Sequence, residues 1–389
     1  MSRIKICIFT PFYIPGFKGG GPIKSIANLV DNLCDTFDFW IITSDRDLGD
    51  ATPYNGVQLN KWVTVGCAQV FYASKNNLTI FGLAKVTRST HCDVIYINGL
   101  FNPNFSIKPM LLSVLGFFKE VPIVLAPRGE LSLGALQIKS FKKRIFLSLV
   151  KLFGIYKSIN WQATTQLEKK DIIRTFGLKN NPVFIAKNLP SKVESIKVSE
   201  EKTLHSKKPL QLVFLSRISP KKNLDFALNV LQQVNVPVCF DIFGPKEDLA
   251  YWLKCCKSIE RLPNNIYVNY CGVVNPIDVG RIFTKYDIFF FPTRGENYGH
   301  VIAEALSVGT SVLLSDQTPW RNLRYDGLGW DFPLDEKDSF ISAIEETYRL
   351  TNSERNDMRK IVFESSYKRI FNPEDLEANK DIFLKALSR

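Results

Sequence analysis

The residues best equipped for chemistry lie in the C-terminal half, in the run Arg294-Gly295-Glu296-Asn297-Tyr298-Gly299-His300-Val301-Ile302-Ala303-Glu304. The apolar stretch Ile288–Phe291 ahead of it reads as a strand, and a helix starts near Gly299. Glu296 then falls in the strand-to-helix loop and Glu304 in the helix, about one and a half turns beyond Gly299. Two carboxylates so placed can grip separate sets of hydroxyls on one extended ligand. The amides of Gly299, His300 and Val301, at the helix start, would face a phosphate on it. Glu304 stands among Ile302, Ala303, Ala305 and Leu306; a carboxylate there needs a partner, which favours function over a merely solvated helix position.

A second loop brings cations. Ser216-Arg217-Ile218-Ser219-Pro220-Lys221-Lys222-Asn223 follows the strand-like Gln211–Leu215. Arg217 offers a planar fork and Lys222 a point charge, a pair suited to a diphosphate. A third loop runs from Pro11 to the glycines Gly19, Gly20 and Gly21, and Pro22 opens the next helix. Glycines let backbone N–H groups approach an anion, and proline suits a first helical turn. These glycines come nine positions after Thr10, which is not the G-x-G-x-x-G of dehydrogenases. The three histidines, His91, His205 and His300, are scattered. The eight cysteines contain no C-x-x-C pair and read as buried small hydrophobes, so neither a metal site nor a disulfide framework is expected.

These loops need strands to hold them. Short β-branched runs alternate with helix-period segments along the whole chain, the pattern of βαβ units with a parallel sheet covered on both faces. Strands are expected at Ile4–Phe9, Phe37–Thr43, Val94–Ile97, Ile123–Ala126, Trp161–Ala163 and Val183–Ala186, then at Gln211–Leu215, Val238–Ile242, Ile266–Val268, Ile288–Phe291 and Ser311–Leu314. Residues 191–208 are polar, charged and without apolar periodicity, a linker composition. The expected organisation is an acceptor-binding Rossmann-like domain over 1–190, the linker 191–208, a second such domain over 209–372, and a closing helix over 373–389. Two doubly wound domains are expected to leave an interdomain cleft, with ligand loops at the carboxyl ends of the strands.

The 389-residue chain carries a net charge of +12, and all of it belongs to the N-terminal half: residues 1–190 hold 23 Lys and Arg against 11 Asp and Glu, whereas the remainder holds 27 of each. Between Leu131 and Leu167 there are six cations, Lys139, Lys142, Lys143, Arg144, Lys151 and Lys157, and not one acid. Leu136, Ile138, Phe141, Ile145, Phe146, Leu149, Leu152 and Phe153 are interleaved at helical spacing. A helix of this kind reads either as core-packed with a solvated basic face or as attracted to an anionic surface, and the missing acids tip the balance toward membrane proximity. No stretch is long and apolar enough to span a bilayer, and the first strand ends too abruptly at Pro11 for a signal peptide. A cytoplasmic protein, peripheral on the inner face of the plasma membrane, is expected.

The motifs resemble those of retaining family 4 glycosyltransferases with the GT-B fold, of the bacterial surface-polysaccharide type. Glu296 and Glu304 with Tyr298-Gly299 between them match the family's E-x-[FY]-G-x4-E signature. Further anchors are Gly19–Gly21, Ala126-Pro127-Arg128-Gly129-Glu130-Leu131, Asn188, Arg217 with Lys222, Gly244, Cys271-Gly272-Val273, Gly309-Thr310 and Thr318-Pro319-Trp320. The resemblance implies catalytic roles for Arg217, Lys222 and Glu296. Glu304 would hold the nucleotide ribose, Glu296 the donor sugar, Gly272 and Val273 the base, and Gly19–Gly21 would close over the diphosphate, with Gly244, Asn297, Tyr298, Gly299, His300 and Val301 also on the donor-binding side. It implies a nucleotide-sugar donor, with UDP the preferred guess. It further implies a glycan or lipid-linked glycan acceptor, no metal or other cofactor, and no nucleic-acid partner. Many relatives have a histidine where Arg128 stands; an arginine cannot act as a base, so Arg128 is assigned to the acceptor side. Asp45-Arg46-Asp47 spells the D-x-D of metal-dependent transferases, but in its polar loop it reads as a turn feature. Two rival readings are a nucleotide-sugar epimerase of the same fold and a non-catalytic protein that binds anionic lipid or nucleic acid.

Overall fold

The computed structural model describes residues 3–118, 120–132, 135–136, 140–156, 159–178, 182–192 and 209–388. It divides into two compact units: the residues up to Lys192 together with those from Pro373 onward, and the stretch between, ending at Asn372. Most of the expected linker, 193–208, lies outside the described residues, as do 133, 134, 137–139 and 157–158 of the basic segment.

The first unit is built on strands β1 (Ile4–Phe9), β2 (Phe37–Ser44), β3 (Trp62–Val65), β4 (Ala68–Ala73), β5 (Val94–Asn98), β6 (Ile123–Ala126), β7 (Asn160–Ala163) and β8 (Val183–Ile185). They form an eight-stranded sheet in the order β3-β4-β2-β1-β5-β6-β7-β8. Neighbours are parallel except β3 and β4, which pair antiparallel as a hairpin. Helices α1 (Gly21–Leu33), α2 (Ile80–Arg88), α3 (Lys108–Val114), α4 (Ser140–Leu152) and α5 (Gln166–Phe176) cover it. Strand alternation sorts the core into two layers. Cys7, Phe9, Ile95, Ile97, Ile123 and Leu125 meet Leu83 of α2, Met110 of α3, Leu147 of α4 and Ile172 of α5. Ile6, Ile8, Val94, Tyr96 and Val124 face the other way, toward Ile26 and Leu29 of α1. Both faces are thus buried, which is why the central strands are apolar throughout.

The second unit carries β9 (Leu210–Leu215), β10 (Val238–Phe243), β11 (Ile266–Gly272), β12 (Ile288–Phe291), β13 (Ser311–Ser315) and β14 (Gly329–Phe332). All pairs are parallel, in the order β11-β10-β9-β12-β13-β14. Numbered within the unit this is third, second, first, fourth, fifth, sixth, the order of doubly wound sheets. Its helices are α6 (Leu224–Leu231), α7 (Leu249–Ile259), α8 (Val279–Phe283), α9 (His300–Ser307), α10 (Lys337–Arg349) and α11 (Asn352–Ile370). Helix α11 opens with a complete capping box, Thr351 with Glu354. A last helix, α12 (Pro373–Leu387), returns to the first unit. Phe383 sits in that unit's core, its ring 5.4 Å from Phe37 and 5.7 Å from Tyr96. Asn379 donates to the Lys187 carbonyl at 2.8 Å and accepts from Gln162 at 3.4 Å.

The architecture is the expected doubly wound α/β pair, with corrections in detail. Strands β3 and β14 and helices α2 and α11 carry too few buried positions, or too mixed a pattern, to show in the sequence, whereas β4, buried at five of its six positions, is a strand that the sequence expectation omits. The cysteines are not uniformly buried: Cys67, in the β3–β4 turn, and Cys271, on the edge strand β11, are exposed. Among the described residues no helix is long and apolar enough to cross a membrane. Because Phe383 fills the layer opposite α2–α5, Phe383→Ala is expected to destabilise the first unit by about 3–5 kcal/mol. Native-state hydrogen exchange at β1 and β5 amides would register that loss, with the β9 and β12 amides little changed.

Candidate active site

In the second unit the strand order reverses between β9 and β12, which lie side by side although Leu215 and Ile288 are far apart in the chain. The loops leaving their carboxyl ends are joined by backbone and side-chain hydrogen bonds. Asn223, at φ 62° in the left-handed region that asparagine tolerates, donates from its amide to the Pro292 carbonyl at 2.8 Å. Its side-chain oxygen accepts from Arg294 Nε at 2.9 Å. The Lys221 carbonyl accepts from the Arg294 amide at 2.9 Å and from the Thr293 hydroxyl at 3.1 Å. Across this seam Lys222 Nζ pairs with Glu296 Oε1. Their side chains are only 11% and 15% exposed, so each charge depends on the other. Lys222 also lies 5.3 Å over the Phe291 ring.

Arg217 is more open and pairs with Glu247 at 2.8 Å. Lys221, which the sequence reading passed over, belongs to the same cluster. Burial pushes its ammonium below the ordinary lysine value; Glu296 opposes that shift, while Lys222 and Arg217 add to it. Three cations with two carboxylates, Glu296 and Glu247, leave this cluster one positive charge in surplus.

The glycines fix the loop geometry. At Gly244, φ is 135° and a Cβ would lie 1.8 Å from the Ser216 carbonyl oxygen, so any side chain there would push the Arg217 loop away. The Gly244 amide donates to the Gly272 carbonyl at 2.8 Å, while Gly272 itself, at φ 81°, has open space beside it and Val273 is exposed. Gly299, at φ 80°, caps α9, and a Cβ there would come within 2.7 Å of Ile302. Trp320 Nε1 donates to the Tyr298 carbonyl at 2.6 Å, and the Tyr298 ring lies 4.7 Å from His300. His300 is buried and Val301 half-buried at the start of α9, with Asn297 half-buried in the loop and Glu304 half-buried five residues into the helix. The structure therefore brings Arg217, Lys221, Lys222 and Glu296 together and sets Glu304 on the helix that Gly299 opens.

In the first unit the glycine loop is held from behind. Asp47 Oδ2 accepts from the Phe17 and Lys18 amides at 2.7 and 2.9 Å, and Oδ1 from the Leu48 amide at 2.8 Å. Both acids of Asp45-Arg46-Asp47 are buried, Asp45 paired with Arg46 at 2.7 Å. The motif is thus more than a turn feature, since it anchors the residues just before Gly19, Gly20 and Gly21. Gly20, at φ 67°, caps α1. Arg128 takes φ 58°. Its Nε donates to Asn98 at 2.7 Å, one Nη to Tyr96 at 2.6 Å and the other to Asn188. These bonds tie the β5 and β6 ends to the segment after β8, so the arginine first of all shapes its own loop. Beside it Glu130 accepts from the Leu100 and Phe101 amides at 2.6 and 3.1 Å. Burial raises the Glu130 carboxyl pKa, against the pull of those two amides. Among the described residues no group of three or more His, Cys, Asp or Glu could hold a metal ion.

Residues 195–363, which span this loop seam, match the family described as Glycosyl transferases group 1. The chain is a glycosyltransferase. Its fold is GT-B, shared with HepE of Anabaena in complex with UDP and glucose, at a TM-score of 0.67, 16% identity and full coverage of both chains. Sucrose-phosphate synthase of Thermosynechococcus elongatus superposes with a TM-score of 0.70 at 13% identity over 99% of each chain. In sequence, a 41.2 kDa protein in the cps region of Klebsiella pneumoniae is 22% identical over 275 residues, 67% of this chain and 73% of that one. The epimerase and non-catalytic readings give way to this assignment. If Lys222 and Glu296 bridge the two loops of this glycosyltransferase, Lys222→Ala strands a buried carboxylate and costs about 3–5 kcal/mol. Combined with Glu296→Ala it should cost less than the two changes added, a coupling of about 0.5–3 kcal/mol in unfolding experiments; strict additivity would contradict the pairing.

Proposed function

We propose that the protein transfers a hexose-type sugar from a UDP-sugar to a glycan acceptor, with retention at the anomeric carbon and without a metal ion. The observation that carries this reading is the cationic cluster Arg217–Lys221–Lys222 around Glu296 at the strand-order reversal of the second sheet. That is where doubly wound sheets bind ligands. When a nucleotide diphosphate-sugar arrives, Lys222 and Arg217 turn to phosphate oxygens and Glu296 to sugar hydroxyls. Glu304 takes the ribose hydroxyls, the backbone at Gly272 and Val273 flanks the base, and the α9 amides from Gly299 add positive potential. The UDP and glucose held by HepE support a uridine donor. The cps-region relative supports surface-polysaccharide synthesis, in which the acceptor would be a lipid-linked glycan at the inner face of the membrane.

In this reaction the acceptor hydroxyl approaches the face from which the diphosphate departs, and a donor phosphate oxygen takes its proton. The protein's part is orientation and stabilisation of the charge that develops on the leaving diphosphate. Fixed cations in a partly dehydrated loop do this work without a divalent ion.

Removing one preorganised donor typically lowers turnover by about 10²–10³. Arg217→Ala should show that loss with little change in stability, because its half-exposed pair with Glu247 is worth about 0–1 kcal/mol. Turnover within a few-fold of wild type would remove Arg217 from the mechanism. A melting-temperature screen against UDP-, GDP-, ADP- and dTDP-sugars in excess EDTA should single out a UDP-sugar, because a ligand of the native state raises the midpoint. A response restored only by manganese would overturn the metal-independent scheme.

A further inference from the structure

We propose that the outer surface of helices α2, α3, α4 and α5 is a docking face for an anionic lipid bilayer. The inference deepens the membrane-acceptor part of the proposed function and rests on it for its purpose. These four helices form the layer over one side of the first sheet. On α4 the chain has two apolar rows instead of one. Leu147 and Val150 point into the core, whereas Phe141, Ile145, Leu149 and Leu152 are exposed. At about 100° per residue the exposed four fall on one stripe, opposite the buried pair. Lys142 borders that stripe on one side, and Arg144 and Lys151 on the other. Phe141 is 75% exposed and Leu152 78%, and Phe153, just past the helix, is 71% exposed. A solvated helix has no use for such a row.

The neighbouring helices extend it. Phe81 of α2 is 76% exposed, and Val114 and Leu115 at the end of α3 are also exposed. By contrast α1, on the other side of the sheet, exposes no large apolar side chain and α12 only Leu384 and Leu387. Charge follows the same division. The four helices carry ten Lys and Arg against two acids, Glu168 and Asp171. Both acids are buried: Glu168 accepts from the Gly129 and Thr164 amides, and Asp171 pairs with Arg174 at 2.7 Å. The outward potential is therefore positive, around aliphatic and aromatic side chains that reach past the backbone. That combination matches an anionic lipid surface, where cations meet headgroups and apolar side chains enter the acyl boundary. A second copy of the chain is the poorer occupant, since two faces of the same sign would repel.

The test is flotation of the full chain with vesicles at about 0.15 M salt, where surface attraction persists at short range. One set contains phosphatidylglycerol with phosphatidylcholine, the other phosphatidylcholine alone. Wild type should float with the anionic set at least about tenfold more than with the neutral set. The triple change Phe141→Ser, Leu149→Ser and Leu152→Ser should lose about tenfold or more, and so should Lys142→Glu with Arg144→Glu and Lys151→Glu. All six positions lie on the outer surface of α4, and an unchanged UDP melting shift would show that the second unit is intact. Absence of wild-type flotation, equal flotation on both sets, or a serine variant that floats like wild type would overturn the proposal. So would light scattering that finds a lipid-free dimer abolished by the serine changes, which would make the face a contact between copies. Because flotation needs no donor, its failure is distinct from failure of the UDP-sugar reading, which the melting screen decides.

Discussion

Strands β9 and β12 are adjacent in the sheet but distant in the chain, and the candidate site of the second unit depends on holding together the loops that leave them. Asn223 and the Lys221 carbonyl supply the neutral part of that seam and Lys222 with Glu296 the charged part. A lysine and a glutamate this far out of water are tolerable only as a pair. Each thereby positions the other, at a place where the parallel sheet has already aimed both loops the same way. The glycines at 244 and 299 serve the same end. They let backbone pass where a side chain would collide with Ser216 or Ile302.

The first unit solves a related problem with Asp47, Arg128 and Glu130. Its glycine loop has no side chains of its own at Gly19–Gly21 to fix it. Asp47 does so by accepting from the two amides just before the glycines. Arg128 and Glu130, neighbours in one loop, reach in different directions, to Asn98, Tyr96 and Asn188 and to the amides after β5. Both units therefore keep irregular backbone rigid by spending charged side chains on it, which leaves fewer of them facing outward than the sequence suggests.

That explains where the sequence was readable and where it was not. Central strands such as Val94–Asn98 and Ile288–Phe291 are buried on both faces, so their apolar runs show in any reading. Gly329–Phe332 is half-buried throughout and holds a glycine and an aspartate, leaving no period to detect. Helix α11 buries only Val362, Ser366 and Ile370 in nineteen residues; its capping box was the signal available. Among site residues, Glu296, Arg217 and Lys222 stand out by type and spacing. Lys221 and Asn223 matter through a backbone carbonyl and a left-handed φ, properties that residue type alone does not display. Asp47 looked like a loop acid because its partners, the Phe17 and Lys18 amides, lie some thirty positions away. The basic helix α4 was recognised as amphipathic, but one sequence cannot say which of two apolar rows faces the core.

The return of α12 to the first unit has a consequence for synthesis on the ribosome. Ile382, Phe383 and Ala386 complete the layer beneath β1 and β5, and Asn379 engages Gln162 and the Lys187 carbonyl. A nascent polypeptide that has emerged only as far as residue 192 therefore lacks a piece of its own interior. It must wait, partly finished, while the whole second unit is translated. The part of the molecule that is made first is the last to close.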